Sequence, residues 1–130
     1  MRNIPSYNFF HRISLALNGL WIAVKRERHL KFHLLFGMGL LTPLFFLNIP
    51  TLQSWILIIL ITQLIILELI NTAIETTVDL ITRKFSFRAK LAKDVSSGAV
   101  LLSALLVFTF SVFIYGSEMH NLFIGVFIGS

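Results

Sequence analysis

The sequence predicts an all-α membrane protein in which an amphipathic surface helix precedes three transmembrane helices. Three observations predict it. The 130 residues are 56% apolar and only 13% charged, with a mean hydropathy of +0.84, a balance found in chains that live in lipid. Long apolar runs recur after residue 30, separated by turn residues. All eleven Lys and Arg fall in two clusters, Arg2 to Lys31 and Arg83 to Lys93, each beside an apolar run. The net charge of +5 is therefore assigned to the anionic lipid surface and not to nucleic acid. The length indicates one domain over 1–130, and the lack of cysteine excludes thiol and thiolate-metal chemistry.

Residues 5–28 read as the amphipathic helix. Phe10, Ile13, Leu17, Leu20 and Val24 recur every three or four positions, with Asn8, His11, Arg12, Asn18 and Lys25 mostly elsewhere, so the segment suits the headgroup plane. Pro5 and Ser6 suit its start. No cleavable signal peptide is expected, because the first thirty residues are basic and interrupted. The first span is expected over 30–47, broken by Thr42 and Pro43, and a turn follows at Asn48 to Thr51. The second span, 52–82, would reach ~45 Å at ~1.5 Å per residue, beyond the ~30 Å hydrocarbon core, so its acidic half meets the interface. A basic loop, 83–88, leads to the third span, 89–115. The tail, 117–130, is short and apolar, and its small-residue spacing at Gly125 and Gly129 is read as chance. Both basic clusters must share one side of the membrane, the cytoplasmic one.

The chemistry concentrates in ELINTAIETTVD, Glu68 to Asp79. On a helix Glu68, Glu75 and Asp79 fall within roughly 40° of one another, with Asn71 and Thr72 beside them. Ionisable groups at membrane depth are costly and mark functional sites. On the third span Lys90, Lys93, Asp94 and Ser97 share a face. Glu27 is the sole carboxylate within a basic cluster, either neutralised in surface ion pairs or a metal ligand. Oxygen ligands without cysteine or paired histidines favour Mg²⁺, which is held by one or two carboxylates plus substrate phosphates. A deeper carboxylate, Glu68, could take a proton from a lipid hydroxyl. These parts suffice for phosphoryl transfer to a lipid alcohol. Two other readings compete: a carboxylate-lined proton or cation channel, and a non-catalytic membrane subunit. A pore would continue polar groups outward, yet residues 55–61 and 100–107 are almost uniformly apolar. A structural subunit needs no Lys-Asp pair opposite a stripe of acids.

ELINTAIETTVD followed by AKLAKDVSSGAVLL, with ALNGLWIAVKRERHLKFHL before them, strongly resembles the small bacterial lipid kinases of the diacylglycerol kinase and undecaprenol kinase family. The resemblance covers residues 8–116 in order and spacing. It implies three spans, a homotrimer with sites between subunits, and ATP and Mg²⁺ as donor and metal. It also implies Glu68 as the catalytic carboxylate and general base, and Glu27 and Glu75 as metal ligands at the ATP phosphates. The nucleotide would meet Lys93 and Asp94 and border the loop residues Lys84, Phe85 and Ser86. His29, Leu30, Lys31, Phe32, His33 and Ser97 would border the lipid alcohol, and Asn71, Asp79 and Lys90 would support the site. Ser86 stands where the family often has histidine, and His33 where the enterobacterial diacylglycerol kinase type is acidic. ERHLKFHL is closer to the Gram-positive-like branch, some of which prefer undecaprenol.

Overall fold

In the computed structural model, which describes residues 8–82 and 84–127, four helices follow one another: α1 (Phe9–Arg26), α2 (Arg28–Leu41), α3 (Thr51–Ile81) and α4 (Phe87–Phe127). A 3₁₀ turn, Thr42–Phe45, extends α2. No strand occurs among the described residues. Pro5, Ser6, Arg83 and Gly129, to which the sequence reading assigned roles, lie outside them.

Helix α1 starts where the Asn8 side chain accepts from the His11 N–H at 2.9 Å, satisfying one of the orphan donors of the first turn. Lys25 and Arg26 occupy its last turn, where cations complement the helix dipole. It buries no residue, and Phe9, Phe10, Leu17 and Trp21 are exposed. Its apolar side is thus uncovered by the rest of the described chain. The expected helix over 5–28 ends early, at Arg26. Glu27 adopts extended angles (φ −87°, ψ 119°), closing α1 and opening α2.

The expected first span divides. Helix α2 has 14 residues, about 21 Å, and the 3₁₀ segment adds roughly 8 Å. Pro43 lacks an N–H and breaks the α-ladder. Side chains add bonds at this kink: Thr42 Oγ1 joins its own backbone N–H on the Met38 carbonyl at 2.9 Å, and the Tyr115 hydroxyl donates to the Leu40 carbonyl.

Two helices are long and apolar enough to cross a membrane, Thr51–Ile81 and the stretch Phe87–His120 of α4, with hydropathies of 2.2 and 2.3. They form an antiparallel hairpin that carries the core: Leu57, Ile61 and Leu64 of α3 pack with Val100, Val107 and Ile114 of α4, and Phe36, Leu40 and Leu41 of α2 cover one side. The helix expected over 89–115 exceeds those bounds. It starts at Phe87 and runs through Gly116 to Phe127, so most of the expected tail is helix. A glycine inside a helix costs only about 1 kcal/mol, and no proline follows Gly116 to break the ladder.

Helix α2 approaches α3 at Gly37, where an added Cβ would meet Ile61 Cγ2 at 2.7 Å. Ile61 is β-branched and has little rotamer freedom in a helix, so it cannot swing aside. Gly37→Val is therefore expected to lower stability by about 1–3 kcal/mol, measured as thermal unfolding in detergent micelles, and the same substitution should cost much less in an Ile61→Ala background, where the close contact is gone. Unchanged stability of Gly37→Val would contradict the close approach.

Candidate active site

The polar seam between α3 and α4 begins with Glu68. Its side chain is 5% exposed, against 65% for Asp79 and 57% for Asp94. The acids of the α3 stripe thus pass from buried to exposed within three turns. Glu68 and Asn71 are among the few buried polar residues of the described part of the chain. In lipid a polar group without an internal partner is costly; Asn71 is hydrogen-bonded, and Glu68 has one polar side chain near it. His33 Nε2, on α2, stands 3.9 Å from Glu68 Oε2. The other ring nitrogen, Nδ1, is buried with no partner among the described residues, a cost that calls for an explanation beyond packing.

Asn71 links the two helices. Its Nδ2 donates to Glu75 Oε1 at 3.1 Å, while its Oδ1 accepts from Ser96 at 2.6 Å and from Ser97 at 3.4 Å. One Glu75 oxygen is thereby held. A cavity of about 270 Å³ opens here, lined by His29, His33, Glu68, Asn71, Glu75 and Ser97, with Val100, Leu101 and Ala104 as its apolar wall.

A second, larger cavity of about 680 Å³ lies further along the same hairpin, toward the loop. Asp79, Lys84, Phe85, Ser86, Lys90, Lys93 and Asp94 line it, with Val78, Thr82 and Ala89. Lys93 Nζ reaches across the helices to Asp79 Oδ1 at 2.6 Å, and Lys90 pairs with Asp94 one turn on. Such exposed pairs are worth only ~0–1 kcal/mol. Either lysine can be drawn to a phosphate at little cost.

The hairpin therefore brings together most of the residues singled out from the sequence, in two groups. Four line neither cavity. Leu30 is buried at 1% exposure. Phe32 is exposed and stacks on Phe36 with ring centroids 6.1 Å apart. Lys31 donates to the Lys25 carbonyl at 2.8 Å, and Glu27 sits at the α1–α2 junction. Among the described residues no three His, Asp or Glu side chains converge on one point as a closed metal cage. A Mg²⁺ that takes one or two carboxylates and completes its shell with phosphates and water needs none, so Glu75 fits that role. Sequence reasoning missed Ser96, which is buried against α3. A signal was there: Ser96, Ser103 and Ser111 are all buried on α4 at heptad-like spacing, and small polar residues line the contacts of membrane helices.

Comparison with known proteins identifies the family. The family model described as prokaryotic diacylglycerol kinase matches residues 14–115. The chain is 39% identical over 98 residues to an undecaprenol kinase of Bacillus subtilis, covering 75% of this chain and 80% of that one. It is also 34% identical over 91 residues to a diacylglycerol kinase of a Synechocystis species, covering 69% of this chain and 52% of the relative, so it spans about half of that protein. By the extent of these matches the chain belongs to the prokaryotic diacylglycerol kinase family and is a membrane lipid kinase.

Proposed function

We propose that the chain, as a single domain, transfers the γ-phosphoryl group of ATP to the hydroxyl of undecaprenol or diacylglycerol at the cytoplasmic face of the bacterial inner membrane. The observation that carries this reading is the buried Glu68 carboxylate lining a cavity with an apolar wall, next along the same hairpin to a cleft lined by lysines. A lipid alcohol can reach the first from the bilayer, and a nucleotide can reach the second from water. The basic segments at Lys25 to Lys31 and Lys84 to Lys93 support the cytoplasmic orientation. In this reading α2 with its 3₁₀ extension is the first of three spans, and the enzyme is a homotrimer with sites shared between subunits.

Glu68 takes the proton of the lipid hydroxyl as its oxygen bonds to the γ-phosphorus, and the bond to the ADP oxygen breaks. A dry cavity strengthens the attraction between carboxylate and hydroxyl. His29, His33 and Ser97 border the alcohol. Lys93 and Lys90 leave their exposed partners for the donor phosphates, and Lys84, Phe85, Ser86 and Asp94 complete that cleft. Glu75 with Glu27 would hold Mg²⁺, which supplies charge neutralisation on the phosphates. Most of the acceleration then comes from positioning and charge compensation.

The test is labelled ATP supplied with undecaprenol and diacylglycerol in parallel mixed micelles. Labelled phospholipid from one of them supports the reading, and no label from either refutes it. Glu68→Gln and Glu75→Gln should each lower turnover by about 10²–10⁴ while helix content by circular dichroism stays unchanged. Near-normal activity of Glu75→Gln would remove its metal role. Asp79→Asn should be milder, about tenfold or less, because its partner Lys93 sits in an exposed pair; a loss as large as that of Glu68→Gln would place Asp79 at the reacting groups instead.

A further inference from the structure

The geometry assigns Ser96 as a positioning residue: its hydroxyl fixes which way the Asn71 amide faces, and through it where the Glu75 carboxylate lies. The inference rests on the reading of Glu75 as a carboxylate of the phosphoryl-donor side. It follows from donor and acceptor identity. Glu75, once ionised, can only accept, so the Asn71 group facing it at 3.1 Å must be the NH₂. The amide oxygen then turns to α4, where it needs a donor. Ser96 Oγ is there at 2.6 Å.

Ser96 has one proton to give. Its other acceptor within reach, the Lys93 carbonyl at 3.0 Å, belongs to the α4 backbone and has the helical ladder to serve it. Asn71 Oδ1 has otherwise only the longer contact from Ser97, at 3.4 Å. Both Ser96 and Asn71 are 9% exposed, so little water is available to replace the bond. Without the hydroxyl, the amide oxygen is left nearly unpaired in a low-dielectric seam. The flipped amide offers no escape, because it would set an oxygen against the carboxylate. The Asn71 side chain should then lose its fixed orientation, and Glu75 the donor that holds it. Ser97 differs in kind: it is exposed and lines the cavity, where a lipid hydroxyl can occupy it.

The test compares Ser96→Ala with Ser96→Thr in the full-length protein in micelles, using two readouts. The first is the side-chain NH₂ resonance of Asn71 in ¹⁵N-asparagine-labelled protein, assigned by its loss in Asn71→Ala. The second is the KM for Mg·ATP alongside kcat. Ser96→Ala should shift and broaden the Asn71 resonance and raise this KM roughly tenfold, with a smaller change in kcat. Ser96→Thr, which keeps the hydroxyl, should restore both. An unchanged resonance and KM in Ser96→Ala would overturn the inference, as would a loss of thermal stability alone with both readouts unmoved. Glu75→Gln run in parallel separates the two levels: lost Mg·ATP affinity there with a silent Ser96→Ala sinks only the role of Ser96. Ordinary affinity in Glu75→Gln sinks the reading of Glu75 itself, and the inference with it.

Discussion

The seam at Asn71 is arranged around one demand: a polar group buried between helices in lipid needs a partner within the protein. Asn71 meets that demand for both helices, giving its NH₂ to Glu75 on its own helix and its oxygen to Ser96 on the other. Because α3 and α4 are joined by a short loop and locked by apolar packing from Leu57 to Leu64, the seam has a single register. The same register sets Lys93 opposite Asp79. A slide of one residue would rotate each of these side chains by about 100° out of the seam, so packing of the apolar half determines alignment of the polar half.

The seam also separates two environments without any dedicated wall. At one end the cavity has the apolar side chains of Val100, Leu101 and Ala104 beside the buried Glu68. Toward the loop the lining turns to lysines and exposed acids. A reaction between a lipid and a nucleotide needs both environments within reach of each other, and α3 supplies them because it is longer than the hydrocarbon core is thick. The breaks at Glu27 and at Pro43 let α1 leave the bundle and keep α2 short, so that His29 and His33 come level with Glu68.

Much of this was legible in the residues. The helical period placed Glu68, Asn71, Glu75 and Asp79 on one stripe and Lys90, Lys93, Asp94 and Ser97 on another, and the structure faces the two stripes across the hairpin. The family followed from the same motifs. Less legible were the ends of the elements. Glu27 breaks the first helix although nothing in KRERHLK forbids helix, and Gly116 fails to end the last because a glycine stops a helix only where a C-cap partner waits. Ser96 was passed over for a different reason. Its role depends on which residue lies across from it on α3, and that is a property of packing that no single-helix period contains.

The central claim is that the seam runs from wet to dry, and the absence of cysteine makes it directly measurable. Single cysteines placed at Thr82, Ser86, Lys90, Ser97, Leu101 and Ala104 can be titrated with a charged, membrane-impermeant thiol reagent applied to inverted vesicles, since only hydrated thiols ionise and react. Fast labelling at 82, 86 and 90 that falls away at 97 and is lost at 101 and 104 is the predicted result. Uniform labelling along all six positions would reveal a continuous water path and contradict the account.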